Sequence, residues 1–207
     1  MRVTETRINL TTALNEVRTG DVWLFRGSTV ADRAIQTMTN SPVNHVGMAV
    51  ALDDMPPLLW HAELGKSLTD MWTGKKQRGV QLHDLGEAVR TWDQKYHARA
   101  WVRQLSVDVT TEMEDAVLRT IARMDGKPFP TTKALAQNWL SGRVRFHRSN
   151  ETIYCAELVA VTYQEMGLLA GSRPQNWYDP GRFWSGDKLR LLQGATLGDE
   201  IAINAQM

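Results

Sequence analysis

Apolar residues recur along this chain in two spacings. Short continuous or alternating runs bounded by Gly, Pro, Asn or Asp read as strands, and apolar positions three and four apart read as helices. Thr11 to Val17 gives a short helix, after which Gly20-Asp21 turns into Val22-Trp23-Leu24-Phe25, an apolar run of strand length closed by Gly27. Ser28 caps a helix with Val30, Ala34, Ile35 and Met38 on one face, ended by Asn40-Ser41-Pro42. In the next strand, Val43 to Leu52, alternation puts His45, Gly47 and Ala49 on one face and Val46, Met48 and Val50 on the other. Asp53-Asp54-Met55-Pro56 is a turn, and Pro57 to Leu64 returns as an antiparallel strand. Centring that turn on Asp54 sets His45 opposite Glu63 and Gly47 opposite His61, all on one face. A slip of two residues would set His61 opposite His45 instead.

Beyond the hairpin, Thr73 to Gly79 is a polar loop, Val80 to His83 a short strand with His83 on an exposed face, and Glu87 to Trp92 a short helix. Ala98 to Leu105 is a further strand. Thr111 with Glu114 fits a capping box for a helix whose buried stripe is Met113, Val117, Ile121 and Met124 and which stops at Gly126. Thr132 to Leu140 reads as helical, and Arg143, Arg145 and His147 as the wet face of a strand, the alternative being that these and Arg148 lower the pKa of the thiol that follows or hold an anionic substrate. A polar turn at Ser149 to Thr152 leads into a helix that begins at Cys155, buries Ala156, Val159, Val161 and Met166, and ends at Gly167. Gly171 to Gly186 is loop-like, and Leu189 to Leu192 and Glu200 to Asn204 are weak closing strands. The mixture predicts an α+β fold in one domain, with a core from about residue 20 to 167 and a C-terminal extension, 168–207.

Composition narrows the classes. The 207 residues include 24 basic and 23 acidic side chains, so no nucleic-acid footprint is expected. Mean hydropathy of -0.36 argues against an integral membrane segment. One cysteine excludes an internal disulfide and a cysteine-rich zinc site. The first twenty residues hold no continuous apolar run, which points to a cytoplasmic protein or one exported without a cleavable signal peptide. Eight tryptophans are assigned mainly to the core, and Lys75, Lys76 and Arg78 to a solvated loop. No oligomeric state is predicted.

The candidate chemistry lies in three residues. A thiol in the first turn of a helix faces free backbone N–H groups and the positive end of the helix dipole, both of which favour thiolate. Cys155 occupies that position. His45 on a strand face kept open by small residues, with the Glu63 carboxylate opposite, completes the parts of a Cys-His-acid triad: nucleophile, proton carrier and orienting group. His61 is the alternative orienter. An oxyanion site is expected from the backbone N–H of Cys155 with a neighbouring donor such as Tyr154.

The segments GDVWLFRG, NHVGMAV, WHAE, DGKPF and YCAELVAVTYQEMGL, in that order, resemble the circularly permuted papain-like hydrolases, the permuted branch of the NlpC-type cysteine peptidase superfamily. The chain departs from that pattern at Ala156, where a serine is common, and at Phe129-Pro130-Thr131. The resemblance implies an antiparallel sheet carrying His45, the Cys155 helix packed against it, and Glu63 as third member. It implies a cysteine peptidase or amidase that cleaves a peptide or acyl-amide substrate through an acyl-enzyme, without metal or organic cofactor. The alternatives it carries are a lipid acyltransferase or thioesterase, similar to lecithin:retinol acyltransferase, and a non-catalytic binding module.

Overall fold

The computed structural model describes residues 6–28, 33, 37, 40–63, 65–128, 154–187 and 189–206. Among them are seven strands, β1 (Arg7–Asn9), β2 (Val22–Arg26), β3 (His45–Val50), β4 (Leu58–Glu63), β5 (Gly79–Asp84), β6 (Arg99–Arg103) and β7 (Ile201–Asn204). The helices are α1 (Leu10–Glu16), α2 (Leu85–Tyr96), α3 (Thr111–Met124) and α4 (Cys155–Glu165). The strands form one sheet in the order β1-β7-β6-β2-β3-β4-β5. The α+β class is as expected, but the sheet is mixed, because β1 pairs with β7 in parallel while every other pair is antiparallel.

The hairpin register is the one that the turn residues predict. Met48 pairs with Trp60 and Val50 with Leu58, which extends to Gly47 opposite His61 and His45 opposite Glu63. Alternation then sorts side chains between two core layers. Val46, Met48, Val50, Leu58, Trp60 and Ala62 pack in one layer with α3 and α4. Trp23, Phe25, Ala49 and Leu59 pack in the other with Leu85, Ala88, Val89 and Trp92 of α2.

Each helix has a local cause. Asn9 accepts from Thr12 N at 2.7 Å at the start of α1 and Asp84 from Glu87 N at 2.6 Å at the start of α2. Thr110, one residue ahead of the expected cap, accepts from Met113 N at the start of α3. α4 ends at Gly167, whose φ of +74° suits glycine and lets Leu168 N and Leu169 N return to Tyr163 O. Two hydrogen bonds seat α4 on the sheet: Trp60 Nε1 donates to Thr162 Oγ1 at 3.1 Å, and Tyr163 Oη donates to Gly20 O at 2.5 Å.

The segment read as a C-terminal extension is built into the fold. β7 lies between β1 and β6, and the buried Arg103 of β6 donates to the carbonyls of Phe183, Leu197 and Gly198. Leu189 to Leu192, expected as a strand, forms none. Most of the helix read after Ser28, the helix at Thr132 to Leu140 and the basic run at Arg143 to Arg148 lie outside the described residues.

Candidate functional site

The site follows from the sheet register. On the α2 face, His45 of β3, His61 of β4 and His83 of β5 form a slanted row. His45 Nε2 lies 3.0 Å from His61 Nδ1, and His61 Nε2 lies 2.9 Å from His83 Nδ1. Neither contact joins residues directly opposite in the ladder: His61 pairs with Gln81, and Leu59 with His83. Both are diagonal contacts displaced toward the same end of the sheet, the offset that strand twist produces. Gly47 makes the first one available. A Cβ there would come within 2.6 Å of Leu59 Cδ1 and 3.1 Å of His61 Cβ, so the small residues beside His45 admit its strand neighbours, not a catalytic helix.

Trp92 of α2 covers the row. Its ring makes edge contacts with His45 at 5.4 Å and His61 at 5.3 Å between centroids, and Phe25 lies 5.8 Å from His45. His61 and His83 are buried, whereas His45 is half-buried at the start of β3. Loss of hydration disfavours each imidazolium, and repulsion from the neighbouring rings adds to it at His45 and His61. His45 is pushed down to about 3 and His83 to about 4, and His61 lies well below the ordinary histidine value. Asp70 pulls His83 back up in part. At neutral pH the row is three uncharged rings, in which one donor nitrogen faces one acceptor nitrogen at each contact. Its inner end, His83 Nε2, has no hydrogen-bond partner.

The other predicted residues lie elsewhere. Glu63 shares the α2 face, yet His45 bonds to His61, and Glu63 Oε1 is buried without a hydrogen-bond partner. Burial raises Glu63 to about 7 against the pull of Lys95. Cys155 belongs to the opposite layer, with Val46 and the rest of α4. Burial pushes its thiol up to about 11, although the N–H groups of Val46, Ala156 and Cys155 itself pull the other way. The expectation of an activated thiolate took the helix dipole into account but not the desolvation that outweighs it. Tyr154 Oη donates to the carbonyls of Asn176 and Tyr178, and Tyr154 N–H helps hold the buried Glu157, itself raised by burial to about 7.

His83 was read as an exposed strand residue and is instead 1% exposed. Its signal was available: with β4 and β5 paired, His83 has the same facing parity as His61. What the sequence concealed was the return of α2 over that face.

No family model matches the chain, and no curated protein matches it significantly. Among solved structures, it is similar to the metalloprotein yiiX from Escherichia coli O157:H7, DUF1105, with 22% identity and a TM-score of 0.51 over 72% of this chain. The match spans 66% of that protein, slightly under two thirds of its length. The likeness shows the fold alone. That protein carries a different family label, DUF1105, which corrects the resemblance to the permuted NlpC-type hydrolases and the amide cleavage expected of Cys155, His45 and Glu63.

Proposed function

We propose that this protein is an enzyme whose reaction moves a proton at His45, with His61 and His83 as the relay behind it. The observation that carries this reading is the pair of ring-to-ring contacts at 3.0 and 2.9 Å. When each Nε2–H donates to the next Nδ1, the outward Nδ1 of His45 is an acceptor. A proton taken up there is balanced by two shifts, from His45 Nε2 to His61 Nδ1 and from His61 Nε2 to His83 Nδ1. No charge remains on His45. The positive charge arrives on His83, the ring that Asp70 favours. His83, held near 4 against about 3 for His45, is the less unfavourable ring for that charge.

The solved neighbour is described as a metalloprotein, so the donor set deserves the same test. Among the described residues no three His, Cys, Asp or Glu side chains converge as metal ligands. His61 spends one ring nitrogen on each neighbour, an arrangement that makes a line, not a ligand triangle.

A test of the proposal uses 5-nitrobenzisoxazole, whose ring opens when a base removes one proton. His45→Gln is expected to lower the protein-catalysed rate by about 100-fold. His83→Gln should lower it less, and Cys155→Ser should leave it unchanged. A rate that survives His45→Gln, or one that Cys155→Ser abolishes, contradicts the reading.

A further inference from the structure

The loop between β4 and β5 has two unlike sides. Its inner side is fixed by Asp70, which is fully buried. Asp70 Oδ1 accepts from Leu82 N at 2.8 Å, and Oδ2 accepts from Thr73 N at 2.8 Å and Thr73 Oγ1 at 2.6 Å. Asp70 N donates to Lys75 O, Gly74 N to Asp70 O, and Met71 N to Leu82 O. These bonds tie the loop to the outer edge of β5 and hold its tip in one shape.

The outer side presents what a soluble surface normally hides. Trp72 is 61% exposed and Met71 44%, and Trp72 is the only exposed tryptophan among those described. Lys66, Lys75, Lys76 and Arg78 belong to the same loop and are all exposed. Residues 65–79 thus hold four of the 24 basic side chains and, in Asp70, one of the 23 acidic ones. That carboxylate is spent on internal donors, while the rest of the chain is slightly acidic. Among the described residues, none of the four cations pairs with a carboxylate.

We infer that this tip docks on an anionic lipid surface, with Trp72 and Met71 entering the headgroup region and the four cations resting on the lipid charges. An indole beside an apolar side chain suits the membrane interface, and clustered Lys and Arg are drawn to an anionic leaflet. No helix among the described residues is long and apolar enough to cross a membrane, so the contact is peripheral. A rigid tip loses little conformational freedom on docking. The cations explain attraction to any polyanion; the adjacent exposed indole and thioether favour lipid.

The test is co-sedimentation of the full chain with vesicles of phosphatidylcholine alone or with 30% phosphatidylserine. Binding is expected only to the anionic vesicles and should fade as salt rises. Lys75→Ala with Lys76→Ala should weaken it on the order of 30-fold, and Trp72→Ser about tenfold, with thermal unfolding unchanged. Absence of binding to phosphatidylserine vesicles overturns the inference. So does binding that Trp72→Ser leaves intact, or equal salt-sensitive binding to heparin, which would reassign the tip to a soluble polyanion.

Discussion

The two faces of this sheet are built from the same strands and differ in kind. On the α4 face, Val46, Met48, Trp60 and Ala62 meet Cys155, Ala156, Leu158 and Val159 in a largely apolar layer with few polar contacts, such as Trp60 to Thr162. On the α2 face, His61, His83 and Glu63 are buried and His45 is half-buried, with Trp92 packed over His45 and His61. An apolar layer resists change through packing. A buried polar row also depends on hydrogen bonds that replace lost water, and each one left unmade is costly. Burial therefore acts on the two faces in opposite directions: it holds the histidines of the α2 face below their ordinary range and the thiol of the α4 face above its own.

The contrast breaks most completely if the cover is removed. Trp92→Ala should destabilise the protein by about 3–5 kcal/mol in urea unfolding and return the histidines toward ordinary titration as water enters. His61→Phe keeps a ring in place but leaves His45 Nε2 and His83 Nδ1 unpaired, and is expected to cost about 1–3 kcal/mol. Neither change should alter the reactivity of Cys155.

Acid sharpens the comparison because only one face loses stability. Histidines held below their ordinary 6.5 in the fold, with His45 near 3 and His83 near 4, contribute stability present above pH 6.5 and lost as pH falls toward those values. Glu63 and Glu157, raised from 4.5 to about 7, work in the opposite sense: their contribution is present below pH 4.5 and lost as pH rises through 7. Between pH 6.5 and 4.5 the two trends partly cancel. Below about 4.5 the histidines still respond while Glu63 and Glu157 no longer do; Asp21 and Asp125, raised by burial, oppose the loss only down to about 3.8 and the lowered Glu112 adds to it, so chemical unfolding should show stability falling more steeply there, and less steeply in His61→Phe. On the other face, Cys155 should react with iodoacetamide far more slowly than a free thiol at pH 7, with no change in His45→Ala. The smallest effect expected is Trp60→Phe, which loses the bond to Thr162 at about 1 kcal/mol and leaves histidine titration as it was.

Local signals in the sequence were enough for much of this. The β3–β4 turn and its alternation set the hairpin register, and hence which residues share the face of His45. Local sequence also placed α4 between Cys155 and Gly167. It did not show which face α4 would cover. Cys155 and His45 were joined because each carries the right chemistry, but α4 packs on the layer of Val46 and Met48, the alternate positions to His45. The pairing of His45 with His61 was legible only as the alternative to Glu63, since direct opposition in a ladder does not reveal a diagonal contact set by twist. β1 was missed and β7 read only as a weak strand because short strands at the sheet margin have little apolar pattern, and their pairing joins residues nearly two hundred positions apart.

The central claim is that His45, His61 and His83 form one neutral, hydrogen-bonded row. Nitrogen-15 NMR of the histidine rings across pH 4.5 to 8 tests it directly. The account predicts three rings that remain mostly neutral down to pH 5, with couplings across two N–H···N bonds, both lost in His61→Phe. A His45 that titrates alone near 6.5, with shifts indifferent to His61→Phe, would contradict it.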